Sequence, residues 1–209
     1  MKVTPIRTRI FVEGEDLAAF IVEHIPQLPD GSILAIASKI VALAEGRTGD
    51  VADKEVLIKK ESSWAKQIFP KWWLTVRQGI AIVNAGIDES NAEGKLVLLP
   101  EDCFASAQKL YANVLHASGY KQKTAIRNFG VVITDSRIAP LRAGGTGVAL
   151  GYAGFRGVRD YRGTPDIFGK PLEVTQTNVA DSLATAATLV MGEGSECQPL
   201  ALIEDAPVE

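Results

Sequence analysis

The chain has little of the chemistry on which several large protein classes depend. It contains only two cysteines and two histidines among its 209 residues. Two cysteines are too few for a disulfide framework, and with so few histidines a Cys/His zinc site cannot be assembled convincingly. A bound metal ion would therefore have to be held by oxygen atoms.

Long apolar runs and an excess of positive charge are also missing. The sequence has no run of about 18 apolar residues, and its start, from Met1 to Arg7, is too polar for the hydrophobic region of a signal peptide. The net charge of -3 offers no basic field for nucleic acid. We therefore expect a cytoplasmic protein that binds neither nucleic acid nor a membrane.

The rest of the composition is that of a soluble globular protein, with 46% hydrophobic and 22% charged residues. A chain of this length buries a substantial core. We expect residues 1–209 to form a single domain, or two small interleaved subdomains.

The stretch from Gly79 to Asn91 combines an apolar run with a polar cluster. Its first half is long enough for a buried strand, and Asp88, Glu89, Ser90 and Asn91 follow in succession. We expect a core strand that delivers this cluster at its end. Oxygen-rich groups of this kind suit Mg²⁺ or Mn²⁺ and the phosphates that those ions carry. The structural alternative is an Asx-type turn that closes a hairpin.

Two further apolar runs are predicted to end in polar residues. The run from Gly130 to Ser136 predicts a strand with Asp135 and Ser136 at its end, so that two acidic loops meet around metal-bound phosphate. The run from Ile33 to Ala37 predicts a strand followed by a short helix with Ser38 as its cap. Such a helix start binds anions, and Lys39 adds positive charge there.

Two longer helices are predicted in the second half of the chain. One spans about Asp102 to Ser118, with Phe104 on its buried face. The other spans about Asn178 to Met191 and ends at Gly192. Glu193 then meets the negative end of the helix dipole, where either solvent or a cation would compensate its charge.

Residues 48 to 73 are predicted to be the least regular part of the chain. All three tryptophans lie within it or at its end, at Trp64, Trp72 and Trp73. They would be covered by the protein's own fold or by a partner subunit. Glycine is dense between Gly130 and Gly169, which permits close approach of a ligand or of another backbone.

Several short collinear runs that span most of the chain carry a family resemblance. Together they resemble the coenzyme F-420-0:L-glutamate ligase family, the γ-glutamyl ligases of the deazaflavin coenzyme pathway. The runs are Ala37-Ser38-Lys39-Ile40-Val41, Ala44-Glu45-Gly46-Arg47, Asn84-Ala85-Gly86-Ile87-Asp88-Glu89-Ser90-Asn91, Val132-Ile133-Thr134-Asp135, Asp160-Tyr161-Arg162-Gly163, Val179-Ala180-Asp181 and Met191-Gly192-Glu193.

The resemblance implies a mixed α/β (α+β) fold with mixed sheets and packed helices, assembled as an intertwined homodimer. It implies an enzyme that uses GTP, or ATP, and two divalent ions, Mg²⁺ or Mn²⁺, to join L-glutamate to a carboxylate on a small-molecule acceptor. Asp88 and Asp135 would be the catalytic residues. The metal ligands would be Asp88, Asp135, Ser136 and Glu193, and the nucleotide site would be lined by Thr8, Arg9, Ile10, Phe11, Ser38, Lys39, Asn91 and Gly192.

The chemistry of amide formation agrees with this interpretation. A carboxylate is a poor acyl donor until one oxygen becomes a good leaving group. Transfer of the γ-phosphoryl group to form an acyl phosphate would therefore precede attack by the amine of glutamate, and metal ions would neutralise the phosphates.

Three departures from the family pattern bear on the acceptor. Leu43 stands where the family often has a phosphate-binding lysine, which would either weaken nucleotide binding or shift that role towards Lys39. Ile138-Ala139 replaces a Gly-Arg pair. The region between Arg47 and Leu74 is shorter than usual and is expected to lack a helical portion, which would reshape an acceptor pocket.

Three other interpretations remain open at this point. The same ligase chemistry would serve another acceptor, such as a folate. The chain would alternatively be a nucleotide- or metal-binding protein that has lost its ligase activity, although retention of Asp88, Asp135 and Glu193 argues against loss of the metals. A phosphohydrolase that transfers phosphate to water is the third alternative.

Overall fold

The computed structural model describes residues 1–117 and 128–209. In this part of the chain, five α-helices pack around four β-sheets, so the predicted mixed α/β class is confirmed. None of the described helices is long and apolar enough to cross a membrane.

The helices are α1 (Leu17–His24), α2 (Ser38–Ala44), α3 (Lys54–Lys60), α4 (Cys103–His116) and α5 (Val179–Met191). The strands are β1 (Lys2–Ile6), β2 (Ser32–Ala37), β3 (Thr48–Gly49), β4 (Trp64–Phe69), β5 (Trp72–Arg77), β6 (Ile80–Val83), β7 (Leu96–Val97), β8 (Phe129–Ile138), β9 (Gly145–Ala153), β10 (Val158–Asp160), β11 (Gln176–Asn178) and β12 (Leu200–Glu204).

A five-stranded central sheet with the order β1-β12-β2-β8-β9 organises the molecule. Only β2 and β8 run parallel, and the other neighbours are antiparallel. Because successive side chains of a strand point to opposite faces, Leu34 and Ile36 pack with α1 and α4 on one side. Ile33 and Ala35 pack with α5 on the other. Burial on both faces explains why β2 reads as a continuous apolar run.

Glycines in β9 let helices approach both faces of the sheet closely. A Cβ on Gly147 would lie 2.6 Å from the carbonyl oxygen of Ala184 in α5. A Cβ on Gly151 would lie 2.1 Å from the carbonyl oxygen of Cys103 in α4. At these two positions, glycine therefore allows a helix of the same chain to pack closely against β9.

Residues 48 to 73 are regular, so the prediction of an irregular segment is wrong. They contain α3 and the first strands of an antiparallel sheet with the order β4-β5-β6. We call this sheet the meander. The sequence signal was weak because the apolar residues of β4 alternate irregularly with lysine and glutamine, and because the pairing has a bulge between Gln67 and Phe69.

Other element boundaries also differ from the prediction. The alternation of polar and apolar residues from 3 to 12 predicts a strand over that range, but β1 ends at Ile6 and residues 7–12 are not in a strand. Helix α4 ends at His116, and the predicted end at Ser118 lies outside the described residues. Phe104 was expected on the buried face of α4 but is half exposed. Ala107 and Val114, which were expected there too, form that face together with Cys103 and Leu110.

Candidate active site

The end of the parallel β2–β8 pair sets the position of the site. The last paired residues are Ala37 and Thr134, so Ser38 and Asp135 come next on neighbouring segments. Ser38 donates a side-chain hydrogen bond that favours the charged form of Asp135. The prediction that Ser38 caps α2 is wrong, because Ala37 is the N-cap residue and makes no side-chain cap hydrogen bond. Ser38 is instead the first helical residue.

Asp135 lies within a strand and not at its end, which corrects the prediction. β8 continues to Ile138, and Asp135 pairs with Val148 of β9, just after a register shift at Ile133 and Thr134. The backbone N–H of Ser136 donates to Asp135 Oδ1 at 2.9 Å. The pKa of Asp135 is raised to about 6, mainly by desolvation on burial and also by the negative charge of Asp88, against the effect of this hydrogen bond.

Contrary to the prediction, Asp88 does not directly follow a core strand. β6 belongs to the meander and is only partly buried, and a short 3-10 turn, Asn84–Gly86, separates it from Asp88. Main-chain hydrogen bonds of 3.0 and 2.9 Å then join Asp88 to Val97. The Asx-type turn is present, since the N–H of Ser90 donates to Asp88 Oδ1 at 2.8 Å. The turn fixes the carboxylate and leaves its second oxygen for other partners.

Lys39 forms an ion pair with that second oxygen. Its ammonium donates to Asp88 Oδ2 at 2.8 Å, to Ser90 Oγ at 3.3 Å and to the Ser90 carbonyl oxygen. The Ser90 hydroxyl also donates to Asp88 Oδ2 at 2.7 Å. Desolvation acts to raise the pKa of Asp88, but the hydrogen bonds from Lys39 and Ser90 outweigh it and hold that pKa below its ordinary value.

The loop after α5 reaches the same region. Gly192 ends the helix with a φ of 80°, as its predicted C-cap role requires, and Glu193 follows in an exposed position. The Ser136 hydroxyl donates to Glu193 Oε1. Asn91 Nδ2 donates to the Gly194 carbonyl oxygen at 3.1 Å, which links the loop after Asp88 to the loop after α5. The structure thus brings Lys39, Asp88, Asp135, Ser136 and Glu193 into one region.

The oxygen donors of this region fit a hard divalent ion by their chemistry, since they comprise three carboxylates and a hydroxyl. The partly buried Asp135, whose pKa desolvation raises, is a group that a cation would stabilise in its charged form. Within residues 1–117 and 128–209, however, no three His, Cys, Asp or Glu side chains are already grouped to hold an ion. In this arrangement the positive charge beside Asp88 belongs to Lys39.

The predicted nucleotide-binding segment, Thr8 to Phe11, has mixed surroundings. The N–H of Thr8 donates to the carbonyl oxygen of Cys197 at 2.9 Å, close to the loop after α5. The Arg9 guanidinium pairs with Glu15 and Glu23 and lies 4.8 Å from the centre of the Phe20 ring. Phe11 is buried against Phe20 in the core, and Ile10 is exposed. Nucleotide contact by this segment stays a prediction.

Two of the departures from the family pattern have a clear structural setting. Leu43 packs against the core residues between α2 and its neighbours, so it contributes to the fold rather than to the polar region. Ile138 and Ala139 lie at the end of β8, and Ile138 is exposed. The third departure concerns Arg47 to Leu74, and this region does contain a helix, α3.

A largely buried ionic network of Arg47, Glu61 and Arg77 was not anticipated from the sequence. Glu61 accepts from Arg47 and lies 3.3 Å from Arg77. Arg47 also donates to the Leu99 carbonyl oxygen at 3.1 Å, and Arg77 to that of Pro100 at 2.8 Å. The contacts of Ser90 with Lys39 were likewise not anticipated, whereas its contact with Asp88 is that of the Asx turn which the sequence analysis gave as the structural alternative.

Comparison with known proteins agrees with the residue pattern. The family described as F420-0:Gamma-glutamyl ligase matches residues 5–71 and 51–205 in two overlapping parts. The Coenzyme F420:L-glutamate ligase of Methanopyrus kandleri is 36% identical, over 89% of this chain and 79% of the relative. The proteins of the same name from Archaeoglobus fulgidus and Methanosarcina mazei are 34% and 37% identical, over 91% of this chain and 82% and 80% of theirs.

The family match, which covers most of the chain, places the protein in a class of amide-forming ligases. The chain belongs to the F420-0:γ-glutamyl ligase family.

Proposed function

We propose that this protein is a nucleotide-dependent γ-glutamyl ligase that joins L-glutamate to a carboxylate of a deazaflavin acceptor of the coenzyme F-420-0 type. The observation that carries the proposal is the meeting of Lys39 and Asp88 with Asp135, Ser136 and Glu193, in a chain that matches the family over these residues. Relatives that share about a third of its residues are named Coenzyme F420:L-glutamate ligase.

The proposed reaction has two steps. In the first, an oxygen of the acceptor carboxylate attacks the γ-phosphorus of GTP or ATP, the bond to the β-phosphate oxygen breaks, and the nucleoside diphosphate leaves. In the second, the amine nitrogen of glutamate attacks the acyl carbon. The new amide bond forms, the carbon–oxygen bond to phosphate breaks, and the amine loses its proton to solvent.

The residues of the site would divide this work between them. The positive charge of Lys39 favours the phosphate groups, and its position at the start of α2 directs it towards the acidic residues. Asp88, Asp135, Ser136 and Glu193 would hold one or two divalent ions, Mg²⁺ or Mn²⁺, which supply neutralisation of phosphate charge when bound. Asn91 ties the two loops that carry Asp88 and Glu193.

The departures from the family pattern favour a second candidate acceptor. The exposed Ile138 stands where a Gly-Arg pair is usual, so the surface beside Asp135 and Ser136 is more apolar than the pattern predicts. A different carboxylate, such as that of a folate, would use the same phosphoryl chemistry. The acceptor is therefore the part of the proposal that experiment has to decide.

A screen of acceptors tests the proposal. The purified protein is incubated with L-glutamate, Mg²⁺ or Mn²⁺, GTP or ATP, and either a deazaflavin precursor or a folate. We expect mass spectrometry to detect addition of a glutamyl unit to the deazaflavin precursor, with equimolar release of phosphate. Glutamyl addition to folate alone would replace the acceptor, and phosphate release without any glutamyl product would favour a phosphohydrolase.

We also propose a homodimer. The outer face of the meander exposes Trp64, Phe69 and Trp72 by 48%, 67% and 52%. Large apolar side chains that cluster on one exposed face are typical of a surface that another protein covers.

A further inference from the structure

The ammonium group of Lys39 lies among oxygen atoms much as a metal ion would. Its contacts are Asp88 Oδ2, Ser90 Oγ and the Ser90 carbonyl oxygen. A lysine ammonium has three N–H donors and no acceptor, so these three oxygens account for all of its donors. Carboxylate, hydroxyl and carbonyl oxygens are also the ligands that Mg²⁺ and Mn²⁺ use.

We propose that Lys39 is the exchangeable counter-ion of Asp88: it holds the Asp88 carboxylate before a divalent cation binds, and it leaves that carboxylate when the cation arrives. The inference rests on the proposed function, because it takes Asp88 to belong to a cation site. It adds a positioning role for Lys39 that precedes any contact with phosphate.

The charges of the two groups require such an exchange. An ammonium within hydrogen-bonding distance of Asp88 Oδ2 repels a divalent ion bound to the same oxygen, since like charges a few ångströms apart interact unfavourably even at high dielectric. The other carboxylate oxygen already accepts the N–H of Ser90 at 2.8 Å. Asp88 Oδ2 also accepts the Ser90 hydroxyl at 2.7 Å, so a cation that binds this oxygen displaces Lys39 or Ser90, and charge repulsion makes Lys39 the group that leaves.

The exposure of the pair makes the exchange feasible. The Lys39 side chain is 23% exposed and that of Asp88 is 49% exposed, so the ion pair is accessible to water and of moderate strength. The long, flexible lysine side chain stays anchored at the start of α2 after it leaves Asp88. Leu43 lies one turn after Lys39 on α2 and packs against the core. This position of α2 therefore offers no second positive charge for phosphate.

Lys54, at the start of α3, provides a matched comparison because it contacts the same loop. Its ammonium pairs with Glu89, the residue next to Asp88, and its side chain is 26% exposed, close to the value for Lys39. Replacement of either lysine by methionine removes one positive charge from neighbouring carboxylates. Only replacement of Lys39 removes the charge that Asp88 itself contacts.

Binding of Mn²⁺ in the absence of nucleotide tests the exchange. The free ion is measured by its paramagnetic resonance signal in titrations of wild type, Lys39→Met, Lys54→Met and Asp88→Asn. We expect Lys39→Met to bind Mn²⁺ about three- to tenfold more tightly than wild type, because the ion no longer displaces an ammonium. We expect Lys54→Met to stay within about twofold of wild type, since its charge acts only at longer range.

The outcomes separate the exchange from the proposed function. If Asp88→Asn weakens Mn²⁺ binding but Lys39→Met binds no more tightly than Lys54→Met, the counter-ion exchange is wrong and the cation site stands. If Asp88→Asn binds Mn²⁺ as well as wild type does, Asp88 is not a cation ligand. The exchange and the metal assignment at Asp88 then both fall.

A measurement on the wild-type protein removes any dependence on how the variants fold. Nitrogen-15 NMR of lysine ammonium groups follows the Lys39 signal during titration with diamagnetic Mg²⁺. We expect the hydrogen-bonded Lys39 ammonium to lose its protection from solvent exchange as Mg²⁺ saturates, while the Lys54 signal is retained. An unchanged Lys39 signal at saturating Mg²⁺ would overturn the exchange.

Discussion

The central sheet and the meander distribute polar and apolar side chains in opposite ways. Strand β2 buries apolar residues on both faces. Polar groups such as Asp135 of β8 lie just beyond the last residue pair of β2 and β8. In β5 of the meander, Thr75 and Arg77 point inward and are buried, while Trp72 and Leu74 point outward and are exposed. A soluble antiparallel sheet normally has the reverse arrangement.

The difference indicates where each sheet obtains its stability. The central sheet is covered on both faces by this chain alone, which leaves its polar end free to carry a site. The inner face of the meander combines the contacts of Arg77 with Glu61 and the Pro100 carbonyl oxygen with apolar packing of Trp73 and Ile82. Its apolar outer face has no such cover within the described part of the chain, so we expect cover from another molecule.

The largest expected effect concerns the polar end of the central sheet. Asp135→Asn keeps the size of the side chain and a carbonyl oxygen but removes the negative charge. We expect glutamyl transfer to fall by about two to three orders of magnitude at saturating nucleotide and metal, because phosphate charge is left uncompensated. Glu55→Gln on the exposed surface of α3 is the matched control and should retain wild-type turnover. Equal turnover of Asp135→Asn and wild type would mean that Asp135 only accepts local hydrogen bonds such as that from the N–H of Ser136.

The second prediction concerns the tight packing of the central sheet. A Cβ on Gly147 would lie 2.0 Å from Thr188 Oγ1 and 2.6 Å from the Ala184 carbonyl oxygen. We expect Gly147→Ala to lower the free energy of unfolding by about 3 kcal/mol, because α5 has to move away from β9. At Gly145 the nearest atom would be 3.8 Å away, so Gly145→Ala should change stability by less than about 1 kcal/mol. Urea denaturation of both variants makes the comparison, and equal destabilisation would contradict it.

The third prediction concerns the outer face of the meander. Replacement of both Phe69 and Trp72 by serine should alter the free energy of unfolding of the monomer by less than about 1 kcal/mol, since both side chains are exposed. The same change should convert the proposed dimer to monomer in sedimentation experiments. Leu189→Ser, an exposed apolar position on α5, should leave the dimer intact. A wild-type protein that sediments as a monomer at micromolar concentration would reject the dimer.

The smallest effect is expected at the two cysteines. Burial raises the pKa of Cys103 to about 11, and Cys197 is exposed. A raised pKa means less thiolate, so at pH 8 only about one Cys103 in a thousand is in the reactive form. We expect iodoacetamide to label Cys197 first, and labelling of Cys103 to accelerate about tenfold per pH unit up to pH 11 while the fold persists. Mass spectrometry of digested samples measures both rates, and equal labelling at pH 8 would show that the α4–β9 contact opens readily.

The sequence was most informative where local pattern alone determines structure. The apolar run of β2 and the helix from Asn178 to Met191 with its Gly192 cap were predicted with nearly correct boundaries. Local signals are sufficient there, because the strand is buried on both faces and the helix carries its own cap residues. The segments that carry Asp88, Asp135 and Glu193 lie in one region, as the acids predicted at element ends indicated, even though Asp135 lies within β8.

Features that depend on distant partners were not predictable in this way. The extension of β8 beyond Asp135 requires pairing with β9, which no local pattern around Asp135 indicates. The burial of Arg77 requires Glu61 and the Pro100 carbonyl oxygen, each remote from it in sequence. The left-handed backbone at Asn84 and Ala85, which turns the chain from β6 towards Asp88, lies at residues other than glycine and therefore carries little signal.

The strand order of the central sheet also has a consequence for synthesis of the protein on the ribosome. β1 pairs only with β12, and β12 separates β1 from β2, so one edge of β2 stays unpaired until residues 200–204 have emerged. The meander, by contrast, pairs strands that are neighbours in sequence and forms as soon as it is made. A nascent chain therefore carries a completed meander and an unfinished central sheet for most of its synthesis. In that interval the exposed edge of β2 is a site for aggregation, and closure of the sheet by β12 is a late step of folding.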